Sequence, residues 1–529
     1  MFIERTGRWW KRSPDCGCRC EHPRQTILGY RHARSRPRCC GTTDHTSLRL
    51  NAMFRHSHLI IDRPAGIIVR IIPIVCTLQR CLNPSHQRRH EMTAAAEVKK
   101  MASTFQTRRG ILIGAAAVAA TVPLGAQTLA QARNPQPVKP RVVRTVRGTI
   151  LPGYEGVLEA FEENFASGLE TGASFAVYRD GKPLVELWGG TAALEGAVPV
   201  TDRTLFTLHS ASKGLAAICI AMLVDRGKLD YEAPVARYWP EFAANGKSAI
   251  TVGQLMSHQA GLPTWRVGPI TFDDLISHDK VAAKLAAQEP FFKPGLWAYH
   301  AWTMGTLSDE LVRRTDGRTI HRFYEEEVRS KLDIDAFLGL PPTEVQRTAL
   351  MVPTPGASAS FDSPNPKIGA APGRPVEGLL TDSAAQQRRA QASGFPAAWG
   401  TGSARALAQL YGSLVRRDGP LVSTRALEVA TRPRVFGFDQ SSGGLGGYSA
   451  GFRVNASGRH GANPASFGHE GAGGILGVAD PTRRLGIGYT MNKMLSPVWS
   501  GPDPRTRNLL LALYAVEEMD RFKAEGAAA

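Results

Sequence analysis

Two short stretches of this 529-residue chain place a lysine three positions after a serine: Ser210 and Lys213 in "HSASKG", and Ser277 and Lys280 in "LISHDK". A serine hydroxyl is a poor nucleophile until a base removes its proton. A lysine can be that base only where burial lowers its pKa and leaves the amine neutral. Spacing alone does not separate the two pairs, but context does. Ser277 heads an ordinary amphipathic stretch, where a serine is expected to cap a surface helix. Ser210 precedes "KGLAAICIAMLVD", apolar on every side and therefore a buried helix ended near Gly227. One turn in, Lys213 faces Ser210 from within that core, and the helix N-terminus favours negative charge beside the serine. A third serine, Ser449 in "GYSAG", matches the Gly-x-Ser-x-Gly elbow. That elbow needs a helix after it and an acid followed by a histidine. Here "FRVNASGRHGANP" follows, no Asp or Glu lies between Ser449 and His469, and no histidine follows Asp480. Ser449 is expected to be a strand serine.

Ser210 and Lys213 are followed in order by three further segments: "TVGQLMSHQAGLP", "PGLWAYHAWTMGTL" with Tyr299, and "FGHEGAGGILGVADP" with His469-Glu470-Gly471. This set resembles the serine β-lactamase and penicillin-binding-protein superfamily, and is most like its family VIII carboxylesterases. The resemblance spans about residues 150 to 520. It implies Ser210 as the acylated nucleophile, Lys213 as its base and Tyr299 as the partner in proton transfer. It also implies that His469, Gly471 and Ala472 form the strand beside the substrate, with the Ser210 and Ala472 N–H groups as the oxyanion hole. His258 is read as a structural loop residue. Two departures stand out. Ala301 occupies the position of the asparagine in Tyr-x-Asn, and His469 that of the lysine in Lys-Thr-Gly. Both remove groups suited to a lactam amide and its carboxylate, so a small carboxylic ester is the expected substrate. β-Lactamase, D-aminopeptidase and acyltransferase activities share the same acyl-enzyme, and a non-catalytic peptidoglycan-binding homologue shares the fold.

The elements that must hold these residues come from both ends of the body. "YEGVLEAFEENFASGL" has helical spacing, and "ASFAVYRDGKPLVELWGG" reads as a hairpin turning at Asp180-Gly181. Residues 228–395 are mostly helices joined by Pro- and Gly-containing loops. "SARALAQLYGSLVRR" is an amphipathic helix, "GYSAGFRVN", "GGILGVADP" and "RLGIGYTMN" are strands, and "RTRNLLLALYAVEEMDRF" is a closing helix. The expected fold is α/β (α+β). An antiparallel sheet flanked by helices is built from residues 151–227 and 396–525, with 228–395 as a helical insertion.

The net charge of +18 invites a nucleic-acid partner, but its distribution removes that reading. Residues 1–91 hold 17 Lys+Arg against 6 Asp+Glu, whereas 133–529 hold 43 against 39. Seven of the eight cysteines lie at or before Cys81, which leaves Cys219 alone in the body as an inert buried thiol. With neither paired cysteines nor His-x-x-x-His in the body, no metal or cofactor is implied. Residues 101–132 carry Arg108-Arg109, a short Gly/Ala-rich apolar run and Ala130-Gln131-Ala132, which reads as a twin-arginine export signal to the periplasm or exterior. The run is too short for a stable membrane span. Residues 1–100 read as an upstream extension with the true start at Met92 or Met101, and 133–150 as a Pro-rich linker.

Overall fold

The computed structural model describes residues 146–193, 198–352, 363–373, 383–495 and 502–528. The expected export signal and the stretch before it lie outside the described residues. Residues 147–150, read as the end of a linker, form a strand instead.

That strand, β1 (Arg147–Ile150), pairs with β3 (Lys182–Gly190), which turns from β2 (Gly172–Arg179) through Asp180 and Gly181. Both turn residues have positive φ, 50° and 79°, as a two-residue hairpin with the native twist requires. The C-terminal strands are β7 (Val435–Phe438), β8 (Leu445–Tyr448), β9 (Arg453–Val454), β10 (Phe467–Glu470), β11 (Leu476–Asp480) and β12 (Leu485–Met491). They join the N-terminal hairpin where β12 pairs antiparallel with β2, giving nine strands in the order β1-β3-β2-β12-β11-β10-β9-β8-β7. The mixed α/β fold, with an antiparallel sheet from both chain ends, is as expected. A smaller sheet was not legible in the sequence. In it β6 (Thr401–Gly402) lies between β4 (Phe206–Thr207) and β5 (Ala336–Phe337). Strands of two residues are too short to show an alternating pattern.

Helices α1 (Glu155–Ala166) and α5 (Pro504–Ala528) pack on each other, and α4 (Ala404–Val415) lies against β2, β11 and β12. The approach of α4 is close enough to dictate composition. A Cβ on Gly486 would stand 1.9 Å from the Ala408 carbonyl oxygen, and one on Gly488 2.0 Å from that of Ala404. Backbone cannot yield to such a contact as a flexible side chain would. Gly486→Ala is therefore expected to cost about 3 kcal/mol, the upper part of the usual range for an overfilled core. Urea unfolding at fixed pH measures it, and a loss below about 1 kcal/mol would show that the helix shifts freely.

In sequence between the N-terminal and C-terminal strands come α2 (Ser212–Asp225) and α3 (Thr303–Asp316), which pack against each other. Every α2 residue from Ser212 to Leu223 is buried. Cys219 is fully buried, and burial pushes its thiol pKa up. Ser277 differs from its expected role. The stretch around it forms two helices, Phe272–Ile276 and His278–Ala287, and Ser277 stands between them without a side-chain cap bond. Its N–H closes the first helix on the Asp273 and Asp274 carbonyls. Among the described residues, no helix is long and apolar enough to cross a membrane.

Candidate active site

Ser210 sits in a single 3₁₀ turn, His209–Ala211, that leads directly into α2. Ser212 fixes this turn. Its hydroxyl donates to the His209 carbonyl at 2.6 Å and accepts the Gly400 N–H at 3.0 Å. His209 has φ of 47°, strained for a residue with a Cβ, and burial lowers its imidazole pKa to about 4. The residue before the serine is thus neutral and held in place by its surroundings.

Lys213 is 2 % exposed. Its Nζ lies 3.1 Å from Ser210 Oγ, within hydrogen-bond reach, and donates to the Ala397 carbonyl at 2.7 Å. Desolvation holds its pKa well below the usual lysine value. The amine then has a lone pair to receive the serine proton, and the carbonyl holds it on that bearing. Tyr299, on the segment leading into α3, faces the same serine and interacts with its hydroxyl. Its ring centroid lies 5.0 Å from Lys213 Nζ. Burial raises the phenol pKa, and the contact with Ser210 works against that shift.

On the opposite wall, β10 carries His469. Its Nδ1 lies 2.7 Å from the Glu470 carbonyl, so Nδ1 carries the proton and Nε2 the lone pair. Burial first, and then Lys213, lower the imidazole pKa to about 3, so His469 is uncharged near neutral pH. Gly471 brings the strand end against the turn that carries Ser210, where a Cβ would stand 2.4 Å from the Leu208 carbonyl oxygen. Ser210, Tyr299, His469, Gly471 and Ala472 line one cavity of about 490 Å³.

The structure brings together the residues read from the sequence, Ser210, Lys213, Tyr299, His469, Gly471 and Ala472. Ser449, expected in a strand, stands instead in the bend between β8 and β9, outside the cavity and fully buried, where its hydroxyl donates to the Phe452 carbonyl. The β-lactamase family profile matches residues 160–511. The chain belongs to the β-lactamase family. This β-lactamase-family serine hydrolase is 34% identical to "Esterase/beta-lactamase LipL" of Mycobacterium tuberculosis, over 68% of this chain and 86% of that one. The solved structure of a family VIII carboxylesterase is 36% identical and superposes with a TM-score of 0.64, over 70% of this chain and 100% of its own. A penicillin-binding-protein homologue from Caulobacter crescentus is 37% identical, again with a TM-score of 0.64 and coverage of 70% and 100%.

Three site residues of this β-lactamase-family chain were not anticipated. Asp439 accepts the Tyr299 N–H at 2.9 Å and both the N–H and hydroxyl of Ser441 and Ser442, and so anchors the tyrosine segment to the β7–β8 turn. Arg453 pairs with Glu470 at 3.1 Å. Burial alone would raise the Glu470 pKa, but Arg453 and His460 hold it well below the usual carboxylate range. His258, far from the three motifs in sequence, lies against Tyr299 with ring centroids 4.8 Å apart. Its Nδ1 accepts the His300 N–H and its carbonyl accepts the Ala298 N–H. It clasps the tyrosine segment from a backbone with φ of 64°. Asp439 in "FGFDQSSGG" carries the mark of a turn-capping aspartate, but only the fold shows that the turn holds Tyr299.

Proposed function

We propose that the protein hydrolyses small carboxylic esters through an acyl-enzyme on Ser210. The observation that carries this reading is the buried Lys213, its pKa held well below the usual lysine value by desolvation, in hydrogen-bond contact with Ser210. Lys213 takes the hydroxyl proton as Oγ attacks the ester carbonyl. The oxyanion forms toward the Ser210 and Ala472 N–H groups, and Tyr299 with Lys213 returns a proton to the leaving alkoxide. Water then attacks the acyl-enzyme through the same pair, releasing the acid and restoring Ser210.

The preference for a neutral ester over a β-lactam rests on the charges that line the cavity. Arg453 and Arg459 face three carboxylates there, those of Asp439, Glu470 and Asp503. His469 adds no cation. A penicillin or cephalosporin carboxylate meets a wall whose guanidinium groups are already matched by carboxylates, Arg453 pairing with Glu470 and Arg505 with Asp503, whereas a neutral ester loses nothing. The missing asparagine at Ala301 removes a donor for a lactam side-chain amide, a hydrogen bond of about 1 to 3 kcal/mol when left unmade. For p-nitrophenyl butyrate, kcat/KM is expected to exceed that for a chromogenic cephalosporin by at least about 100-fold, two such contacts' worth. Equal values, or a preference for the cephalosporin, would refute the ester assignment while leaving the acyl-enzyme intact.

A further inference from the structure

The turn after β10 contains a chain of hydrogen bonds that ends on the candidate oxyanion site and begins at a buried cation. The Gly474 N–H donates to the Gly471 carbonyl at 3.1 Å. That carbonyl belongs to the same peptide unit as the Ala472 N–H, just as the Gly473 carbonyl belongs to the unit of the Gly474 N–H. The Gly473 carbonyl in turn accepts from Nη2 of Arg505, on the first turn of α5. A guanidinium is thus linked through two peptide units, 473–474 and 471–472, to the Ala472 N–H.

Arg505 is built to hold that position. It is 0 % exposed. Asp503 takes its Nε and Nη2 at 2.9 and 2.8 Å, and Nη1 reaches Glu170 at 3.3 Å and the Lys493 carbonyl at 2.8 Å. Glu170 is itself held by the Tyr489 hydroxyl. The turn it braces needs a brace, because Gly473 and Gly474 have φ of 84° and 104° and carry no side chains to pack. Hydrogen bonds in series polarise one another, and a charged donor at the head strengthens the chain.

We propose that Arg505 is a positioning residue for the oxyanion site, orienting and polarising the Ala472 N–H through the two hydrogen-bonded peptide units between them. The inference rests on the acyl-enzyme reading above. As negative charge grows on the substrate oxygen, the N–H facing it is already aimed and made a stronger donor, which benefits the transition state more than the bound ester.

The test is Arg505→Lys in the full chain, with folding checked by circular dichroism and thermal unfolding. Lysine keeps the charge but cannot span Asp503 and Gly473 as the fork does. For p-nitrophenyl butyrate, kcat is expected to fall about tenfold with KM within about twofold, less than the roughly 100-fold that follows outright loss of an oxyanion donor. Affinity for an alkyl boronic acid, which forms a tetrahedral anion on Ser210, should fall by the same factor. The infrared carbonyl band of a ¹³C-labelled acyl-enzyme should move to higher wavenumber, because its oxygen is less polarised. A folded variant with unchanged kcat, boronate affinity and carbonyl band would overturn the proposal. If Arg505→Lys does not fold, Glu170→Gln loosens the grip on Nη1 and should shift the band in the same direction by less, and an unmoved band there overturns the proposal equally. A wild-type protein that forms no acyl-enzyme would instead refute the reading of Ser210.

Discussion

Ser210→Ala is expected to lower ester turnover by about 10⁴-fold or more, because covalent catalysis loses its only nucleophile while binding and oxyanion donors remain. Ser277→Ala and Ser449→Ala are the controls, and each should keep turnover within about twofold of wild type. Ser277 lies between two short helices and makes no cap bond, while Ser449 is spent on a local turn with Phe452. A Ser210→Ala protein that stays folded and retains turnover would show that another group is acylated.

Lys213→Met carries the second large effect, and it acts on activity and stability in different ways. Without the base, kcat/KM should fall by about 10³-fold, within the range seen for loss of a positioned proton acceptor. In the wild type, activity should disappear as pH is lowered through the depressed pKa of Lys213, because the protonated amine cannot accept the serine proton. Stability follows from the same shift. The unfolded chain binds a proton at Lys213 up to the ordinary lysine pKa of about 10.4, while the folded chain keeps it neutral down to a much lower pH. Within that window the unfolded state holds one more proton, so wild-type stability rises with pH by about 1.4 kcal/mol per unit from this group. Lys213→Met removes the linkage, so the variant should gain on the wild type steadily as pH falls. Urea midpoints across pH read the slope. If the two proteins keep a constant difference in stability, Lys213 is charged in the folded state and cannot be the base.

Much of this site was visible in the residues themselves, for reasons that differ by position. Ser210 and Lys213 could be told from Ser277 and Lys280 because the helix behind them is apolar on every side, and such a helix has to be buried. The elbow at Ser449 failed on the missing helix, and the structure has the short strand β9 there. The hairpin at Asp180-Gly181 was legible because positive φ at two successive positions strongly restricts composition. What could not be read depends on contacts between distant segments. The Ala397 carbonyl that aims Lys213 belongs to no side-chain motif, and Asp439 is 140 positions from the Tyr299 backbone it holds. His258 reads as a loop residue until the fold lays the segment 297–300 over it. Ser277 stands at the N-cap position its pattern indicates, but a second short helix ends there, and its hydroxyl makes no cap bond.

The claim on which the rest depends is that Ser210 carries the acyl group, and one measurement addresses it directly. The purified protein is treated with an alkyl fluorophosphonate at neutral pH, digested, and the labelled peptide sequenced by mass spectrometry. A single phosphonylated site is expected on Ser210, blocked by prior incubation with an ester substrate and much slower to form in Lys213→Met. Label on Ser449, Ser277 or any other serine, with Ser210 unmodified, would contradict it.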